Sequence, residues 1–444
     1  MKHKRLFLWS ITAALAGFLF GFDAIVISGA EQKIESIWNL GPVMHGLCMS
    51  AALWGTVIGA LLGAWPTEKY GRRKTLIWIG ALYFVSAIGS GIAPEMYFFM
   101  IARFIGGLGV GIATVASPLY ISEISPARLR GRLAGMFQFN IVFGILIAFI
   151  SNYFLGKHLN EQIAWRWMLG VEAIPAFFYF LMCFTIPESP RWLIVHGGQR
   201  EQGLEVFRKI NPDLSESEII ALGDSVAASV GDRKTAAKFF TKRLKVPIML
   251  AFLVAFFNQL SGINAILFFA PRIFEWTGLG ESAALLQSVG IGVTNIIFTY
   301  LGLYLIDKIG RRMLLYIGSF GYIISLGVCS WAFHTESYKI VPLCIFAFMA
   351  AHAMGQGAVI WVLISEIFPN RNRAAGQALG SFTHWYFAAS ITLVFPKMAE
   401  ILNPSIIFGF FCFMMVLQLI WVKTMVPETK GITLEEMQKK LGIE

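Results

Sequence analysis

The chain has 444 residues, 57% of them hydrophobic and 14% charged, against roughly 45–50% and about 25% in soluble domains. That composition excludes a soluble enzyme, which would expose large apolar patches, and the long apolar runs exclude a β-barrel with its short alternating segments. The net charge of +10 raises nucleic acid as a partner, but no aromatic-basic motif supports it and the basic residues gather between apolar runs.

In chain order the apolar runs fall at about 8–28, 45–66, 75–93, 97–121, 134–156, 166–186, 246–271, 284–306, 313–333, 340–365, 375–397 and 404–426. These are numbered here as spans 1 to 12. Taking 57% of 444 gives about 253 apolar residues, enough for about twelve helices of roughly 20 residues each. The fold expected is an all-α membrane protein. The basic start Met1 to Arg5 looks like a signal peptide, but no small-residue cleavage site follows, so the first run reads as a permanent span. With the N-terminus cytoplasmic the C-terminus is too, and most Lys and Arg then fall inside, including Lys69, Arg72, Arg73, Lys74, Arg128, Arg130, Arg132, Lys308, Arg311 and Arg312. The positive-inside rule gives that orientation, and the basic inner face suits anionic lipids. Cys48, Cys183, Cys329, Cys344 and Cys412 lie in or beside spans, at no metal-ligand spacing, and read as small buried residues; no metal or other cofactor is expected.

The second half repeats the first. Gly71-Arg72-Arg73 recurs as Gly310-Arg311-Arg312 at an offset of 239, Ser122-Glu123-Ile124 as Ser365-Glu366-Ile367 at 243, and Pro187-Glu188-Ser189 as Pro427-Glu428-Thr429 at 240. Each motif falls at the cytoplasmic end of a span in both copies. The chain therefore reads as two six-helix bundles of the same orientation, 1–186 and 246–427, with a cytoplasmic tail at 428–444. Residues 187–245 hold 10 Lys or Arg and 8 Asp or Glu and form a cytoplasmic linker. Helical spacing predicts short helices at 200–210 and 215–228, the second capped at Ser215-Glu216-Ser217-Glu218.

At the inner rim each Gly-Arg-Arg turn follows an acid-base pair, Glu68-Lys69 or Asp307-Lys308. A glycine turn can aim the guanidinium groups of Arg72, Arg73, Arg311 and Arg312 at carboxylates, with Glu123 and Glu366 the partners expected. Arg130 and Arg373 stand near the same span ends. Such clusters make an inner gate that breaks in one access state, or the arginines merely follow the positive-inside rule.

Gly71-Arg72-Arg73, Pro187-Glu188-Ser189-Pro190-Arg191-Trp192-Leu193, Gln259-Leu260-Ser261-Gly262-Ile263-Asn264, Asp307 to Arg312 and Pro427-Glu428-Thr429-Lys430-Gly431 together span the chain. On them the chain resembles the sugar porter family of the major facilitator superfamily. The resemblance implies alternating-access transport of monosaccharides through two six-helix bundles, and it extends both to bacterial proton-coupled xylose symporters and to animal glucose facilitators.

Few ionisable residues lie well inside spans, and Asp23, Arg103 and Glu172 stand out among them; charge there is costly and points to function. Counting from the outer ends of spans 1, 4 and 6, all three lie roughly 8 to 9 Å deep at 1.5 Å per residue. Equal depth allows them to meet. A carboxylate beside Arg⁺ keeps its charge, whereas one turned toward an apolar wall takes a proton, so movement can load and unload Asp23. By resemblance, Gly21-Phe22-Asp23 matches the symporters, while the facilitators carry an amide there. A permanent Asp23–Arg103 tie between spans 1 and 4 is the alternative.

Asn264 lies 241 residues after Asp23, so equivalent spans place a neutral amide where the first half places the acid. Proton handling then falls to the first half and sugar recognition mostly to the second, since a polyhydroxylated ligand needs amides and aromatic faces. Candidates within spans are Gln138, Asn258, Gln259, Asn264 and Asn295, with Trp361, His384 and Trp385. Gln259 and Asn264 are about 140° apart on a regular helix and share a direction only if span 7 unwinds near Gly262. By resemblance, Gln138, Gln259, Asn264, Asn295, Trp361 and Trp385 align with sugar-contacting positions, and Phe20 with a nearby aromatic. Interhelical hydrogen bonding is the alternative for each amide. Asn258, His384 and Phe268-Phe269 depart from the family pattern, and Gly355-Gln356-Gly357 lacks the facilitators' proline.

The function expected is a proton-coupled monosaccharide symporter in a bacterial inner membrane, working as a monomer with sugar, protons and lipid as partners. An energy-independent uniporter and a non-transporting sugar sensor are the alternatives. No nucleophile and base set supports an enzyme.

Overall fold

The structure, a computed structural model, describes residues 4–126, 129–228, 239–369, 371–432 and 434–443. Among them the secondary structure is helical throughout. In the first half α1 (Lys4–Val26) leads through a 3₁₀ turn into the short α2 (Glu31–Ile37); α3 (Pro42–Leu62), α4 (Ala64–Tyr70), α5 (Arg72–Ile92), α6 (Met96–Ile124) and α7 (Arg130–His158) follow. Span 6 is two helices, α8 (Glu161–Gly170) and α9 (Ala173–Met182), with a turn at Val171 and Glu172 where one continuous helix was expected.

The linker holds α10 (Pro190–Val195), α11 (Arg200–Ile210) and α12 (Glu216–Ala228). Pro190 at the start of α10 and the Ser189 hydroxyl accepting from Trp192 N explain the first of these, which helical spacing alone did not predict. Ser215 and Glu218 close a reciprocal capping box on α12: Ser215 N donates to Glu218 Oε2 at 2.7 Å and Glu218 N to Ser215 Oγ at 3.4 Å.

The second half contains α13 (Lys245–Leu260), α14 (Ile263–Phe268), α15 (Ala270–Glu275), α16 (Glu281–Ile309), α17 (Arg311–His334), α18 (Val341–Met354), α19 (Gln356–Ile367), α20 (Arg373–Ile401), α21 (Pro404–Thr424) and the terminal α22 (Leu434–Lys440). Span 7 is thus broken at Gly262 and again at Phe269, and span 10 at Gly355. Beside that last break Gln356 Nε2 donates to Gln418 Oε1, and Gln418 Nε2 to Ser319 Oγ, each at 2.8 Å, so buried amides tie α19, α21 and α17 together.

Ten described helical stretches, those of spans 7 and 10 counted across their breaks, are long and apolar enough to cross a membrane. The broken span 6 is too short in either piece, and α20 carries Arg373, Gln377, His384, Lys397 and Glu400. Large side chains on the outside, such as Ile101, Phe178, Ile324 and Leu343, are 60–65% exposed, an arrangement suited to lipid and not to water.

The chain forms two compact units. One comprises Met1–Asp23, Gly55–Gly144 and Leu169–Ala236; the other comprises Ala24–Trp54, Ile145–Met168 and Ala237–Glu444. In the first, α5 packs along α6 and α9, and a core of small and aromatic residues that includes Ala13, Ala113, Tyr83, Tyr120 and Tyr179 excludes water. In the second, α17 packs on α18 and α21, α13 on α20 and α16 on α18, and the sequence stretches 24–54 and 145–168 join them.

Candidate functional site

Three constellations stand out, and the first is built twice. Gly71 has φ +95° and Gly310 φ +94°, backbone that disfavours a side chain, and a Cβ would come within 2.3 Å of Glu188 Oε2 at the first and 2.5 Å of Glu428 Oε2 at the second. Glu188 Oε1 accepts from Arg72 N at 2.8 Å and Arg73 N at 3.1 Å, and Glu428 accepts from Arg311 N and Arg312 N at 3.0 Å each. These carboxylates cap the turn, and the side chains complete it. Arg72 Nε and Nη2 donate to the two Glu123 oxygens at 2.8 Å each, and Arg311 Nε and Nη2 donate to Glu366 at 3.1 and 2.8 Å. Ser189 Oγ and Thr429 Oγ1 each donate to the same glutamates at 2.6 Å. Arg73 and Arg312 instead donate to the backbone carbonyls of Phe184 and Lys423 at 2.6 and 2.7 Å. Burial pushes the Glu188 carboxyl above its ordinary range, against the pull of the N–H groups it accepts from.

Some gate candidates stand apart. Asp307 pairs with Arg311 at 3.0 Å from a side chain 80% exposed, whereas its counterpart Glu68 contributes its backbone carbonyl, accepting from Trp192 Nε1 at 2.6 Å. Arg373 Nε is buried with no partner among the described residues. The Arg130 side chain lies outside the described residues. Glu188 and Glu428 show in the sequence only as members of recurring motifs, and that recurrence at the repeat offset is the signal that both halves need a carboxylate there.

The second constellation lies within the first unit. Asp23, Arg103 and Glu172 are each 1% exposed. Arg103 Nη1 donates to Asp23 Oδ1 at 2.6 Å and Nη2 to the Asp23 carbonyl at 2.7 Å. The Glu172 carboxyl lies within hydrogen-bonding reach of the Asp23 carboxyl. Asp23 Oδ2 and both Glu172 oxygens have no donor among the described residues, and two facing acceptors are satisfied only when a proton lies between them.

The third centres on Gln259 in the second unit. Gly262 has φ +86°, and a Cβ there would meet the Phe411 ring at 2.6 Å, so the break in span 7 is built around glycine. Across the break Asn264 Nδ2 donates to Gln259 Oε1 at 2.5 Å, an approach closed to a regular helix. Gln259 Nε2 donates to Asn258 Oδ1 at 3.0 Å and lies 3.1 Å from His384 Nε2. His384 packs against Trp361 and Trp385 with ring centroids 5.3 and 4.8 Å away. Asn295 is held by Thr299 Oγ1 at 3.2 Å on its own helix, outside this cluster. Phe268 and Phe269 are buried. Phe20 and Gln138 belong to the first unit, Phe20 packed against its core and Gln138 half-buried on α7.

Residues 9–441 match the family model described as sugar (and other) transporter. The D-xylose-proton symporter of Escherichia coli is 36% identical over 98% of this chain and 96% of its own, and the arabinose-proton symporter of Bacillus subtilis 33% over 97% and 94%. Among solved structures, the inward open xylose transporter XylE of Escherichia coli superposes with a TM-score of 0.87 at 32% identity, covering 98% of this chain and 99% of that one; XylE bound to 6-bromo-6-deoxy-D-glucose gives 0.81 at 33%, covering 99% and 100%. Matched along nearly its whole length, with the same turn built in each half, the chain belongs to the sugar (and other) transporter family and carries the twelve-span major facilitator fold.

Proposed function

We propose that this chain is a proton-coupled monosaccharide symporter working by alternating access. The observation that carries the reading is the buried Asp23–Arg103 pair with the unpartnered Glu172 carboxyl against it. Charge at that depth is costly to bury, which makes the pair a functional candidate. With Asp23 ionised, Arg103 holds spans 1 and 4 together. A proton arriving on Asp23 releases the guanidinium, and Glu172 is the second acceptor that can share or receive it. The relatives named as xylose-proton and arabinose-proton symporters support this coupling and a pentose-sized sugar.

The Gln259, Asn258, Asn264 and His384 cluster, walled by Trp361 and Trp385, supplies donors, acceptors and aromatic faces for the sugar, with Asn295, Gln138 and Phe20 as further contacts. Arg72–Glu123 and Arg311–Glu366 serve as inner gates, joined by Arg73, Arg312 and Asp307. Residues 1–186 and 246–427 act as the two moving bundles, 187–245 as the linker and 428–444 as the tail, in a bacterial inner membrane with both termini inside, as a monomer. Each proton entering contributes about 2.3 kcal/mol per 100 mV.

The test is Asp23→Asn in proteoliposomes. Uphill uptake driven by an acid exterior disappears, while exchange of labelled for unlabelled sugar continues. Unimpaired accumulation in that variant rules the proton role out and leaves the uniporter.

A further inference from the structure

The break in span 7 leaves a backbone group to be accounted for. In a regular helix the Asn258 carbonyl accepts from the N–H four residues on, but Gly262 N donates to Gln259 O at 3.0 Å instead. The Ser261 hydroxyl takes its place, donating to Asn258 O at 2.6 Å. Behind Ser261 stand two side chains from two further spans, neither of them part of the sugar cluster, the gates or the proton pair. The Tyr322 hydroxyl, on α17, lies within hydrogen-bonding reach of the Ser261 hydroxyl. It also lies 2.6 Å from Nδ1 of His352, on α18. Asn258, Ser261 and Tyr322 are each 1% exposed or less, so an unmade hydrogen bond among them is costly.

Counting protons gives the direction of this chain. Ser261 has one proton, donates it to Asn258 O, and therefore meets Tyr322 only as an acceptor. If Tyr322 donated to His352, its oxygen and that of Ser261 would face each other as two acceptors. If Tyr322 donates to Ser261, its own oxygen accepts from an N–H at His352 Nδ1, and each hydroxyl both gives and receives. The imidazole then carries its hydrogen on Nδ1 and leaves Nε2 bare. A line of donors thus runs from span 10 through span 9 to the carbonyl that the break in span 7 sets free.

We propose that His352 and Tyr322 are positioning residues: acting through Ser261, they hold the turn at 258–262 in the shape that brings Asn264 onto Gln259, with His352 in its Nδ1–H tautomer. The consequence for sugar rests on the site proposed around Gln259; the tautomer and the turn do not.

The test uses the full chain in lipid nanodiscs. The ¹⁵N shifts of the His352 ring, assigned by their disappearance in His352→Asn, show Nδ1 protonated and Nε2 bare; the opposite tautomer overturns the proposal. Hydrogen exchange of the amides at 258–264 rises about tenfold in Tyr322→Phe and in Ser261→Ala, and no further in the double variant than in Ser261→Ala alone, because both cut one chain. Asn carries an N–H as far from the backbone as Nδ1 and Gln one as far as Nε2. His352→Asn therefore exchanges like the parent chain and His352→Gln like Tyr322→Phe. Additive effects in the double variant, or equal effects of Asn and Gln at 352, make these contacts ordinary helix packing and overturn the assignment. The affinity for D-xylose, read by tryptophan fluorescence, falls about tenfold in the variants whose turn loosens and is kept in His352→Asn. Faster exchange with affinity unmoved overturns the positioning role. A parent chain that binds no D-xylose defeats the sugar site itself, while the tautomer and the exchange still decide the turn.

Discussion

Glu123 and Glu366 do the same job in different surroundings. The side chains of Arg72 and Glu123 are 5% and 9% exposed, those of Arg311 and Glu366 10% and 29%. Removing one partner of a buried pair strands the other, at about 3–5 kcal/mol, and the loss shrinks toward about 1 kcal/mol as water reaches the pair. Glu123→Ala is therefore expected to lower the thermal midpoint in detergent several degrees more than Glu366→Ala; equal shifts would mean that burial does not set the strength of these ion pairs. Both pairs are legible in the sequence, because Ser-Glu-Ile and Gly-Arg-Arg recur at nearly one offset. The role of Glu188 and Glu428 is not, since their partners are backbone N–H groups, which leave no mark in residue type.

At the scale of elements, the breaks matter more than the helices. Span 7 needs Gly262 to bring Asn264 onto Gln259, and a Cβ in that left-handed backbone costs about 1–2 kcal/mol before its clash with Phe411 is counted. Gly262→Ala is expected to weaken sugar binding at least about tenfold while leaving the Arg72–Glu123 turn intact, as followed by ligand-induced tryptophan fluorescence and by the thermal midpoint. Unchanged affinity would separate the break from the sugar site. This break was legible because a glycine stands between two amides that a straight helix would turn apart. The break in span 6 has local signals too, Gly170 before it and Pro175 after it, whose ring removes the N–H that a continuous helix would direct at Val171 O; a length of apolar residues alone does not show them. The linker helices were legible from local signals alone, capping at Ser215 and spacing from Arg200.

Across the whole molecule, composition and repeat decided the fold: twelve apolar runs, with loop charge to orient them and motifs to pair the halves. The repeat also exposes where equivalent positions differ, Asp23 against Asn264 and Glu68 against Asp307; the different partners they take show only in the structure. The central claim is that Asp23 ties sugar movement to proton movement. It is tested most directly by uptake of labelled xylose into proteoliposomes with and without an imposed acid-outside gradient. At one proton per sugar, a gradient of about one pH unit with no membrane potential accumulates sugar about tenfold above equilibrium. Equilibration to the external concentration, at the same level with the gradient as without it, would contradict the claim.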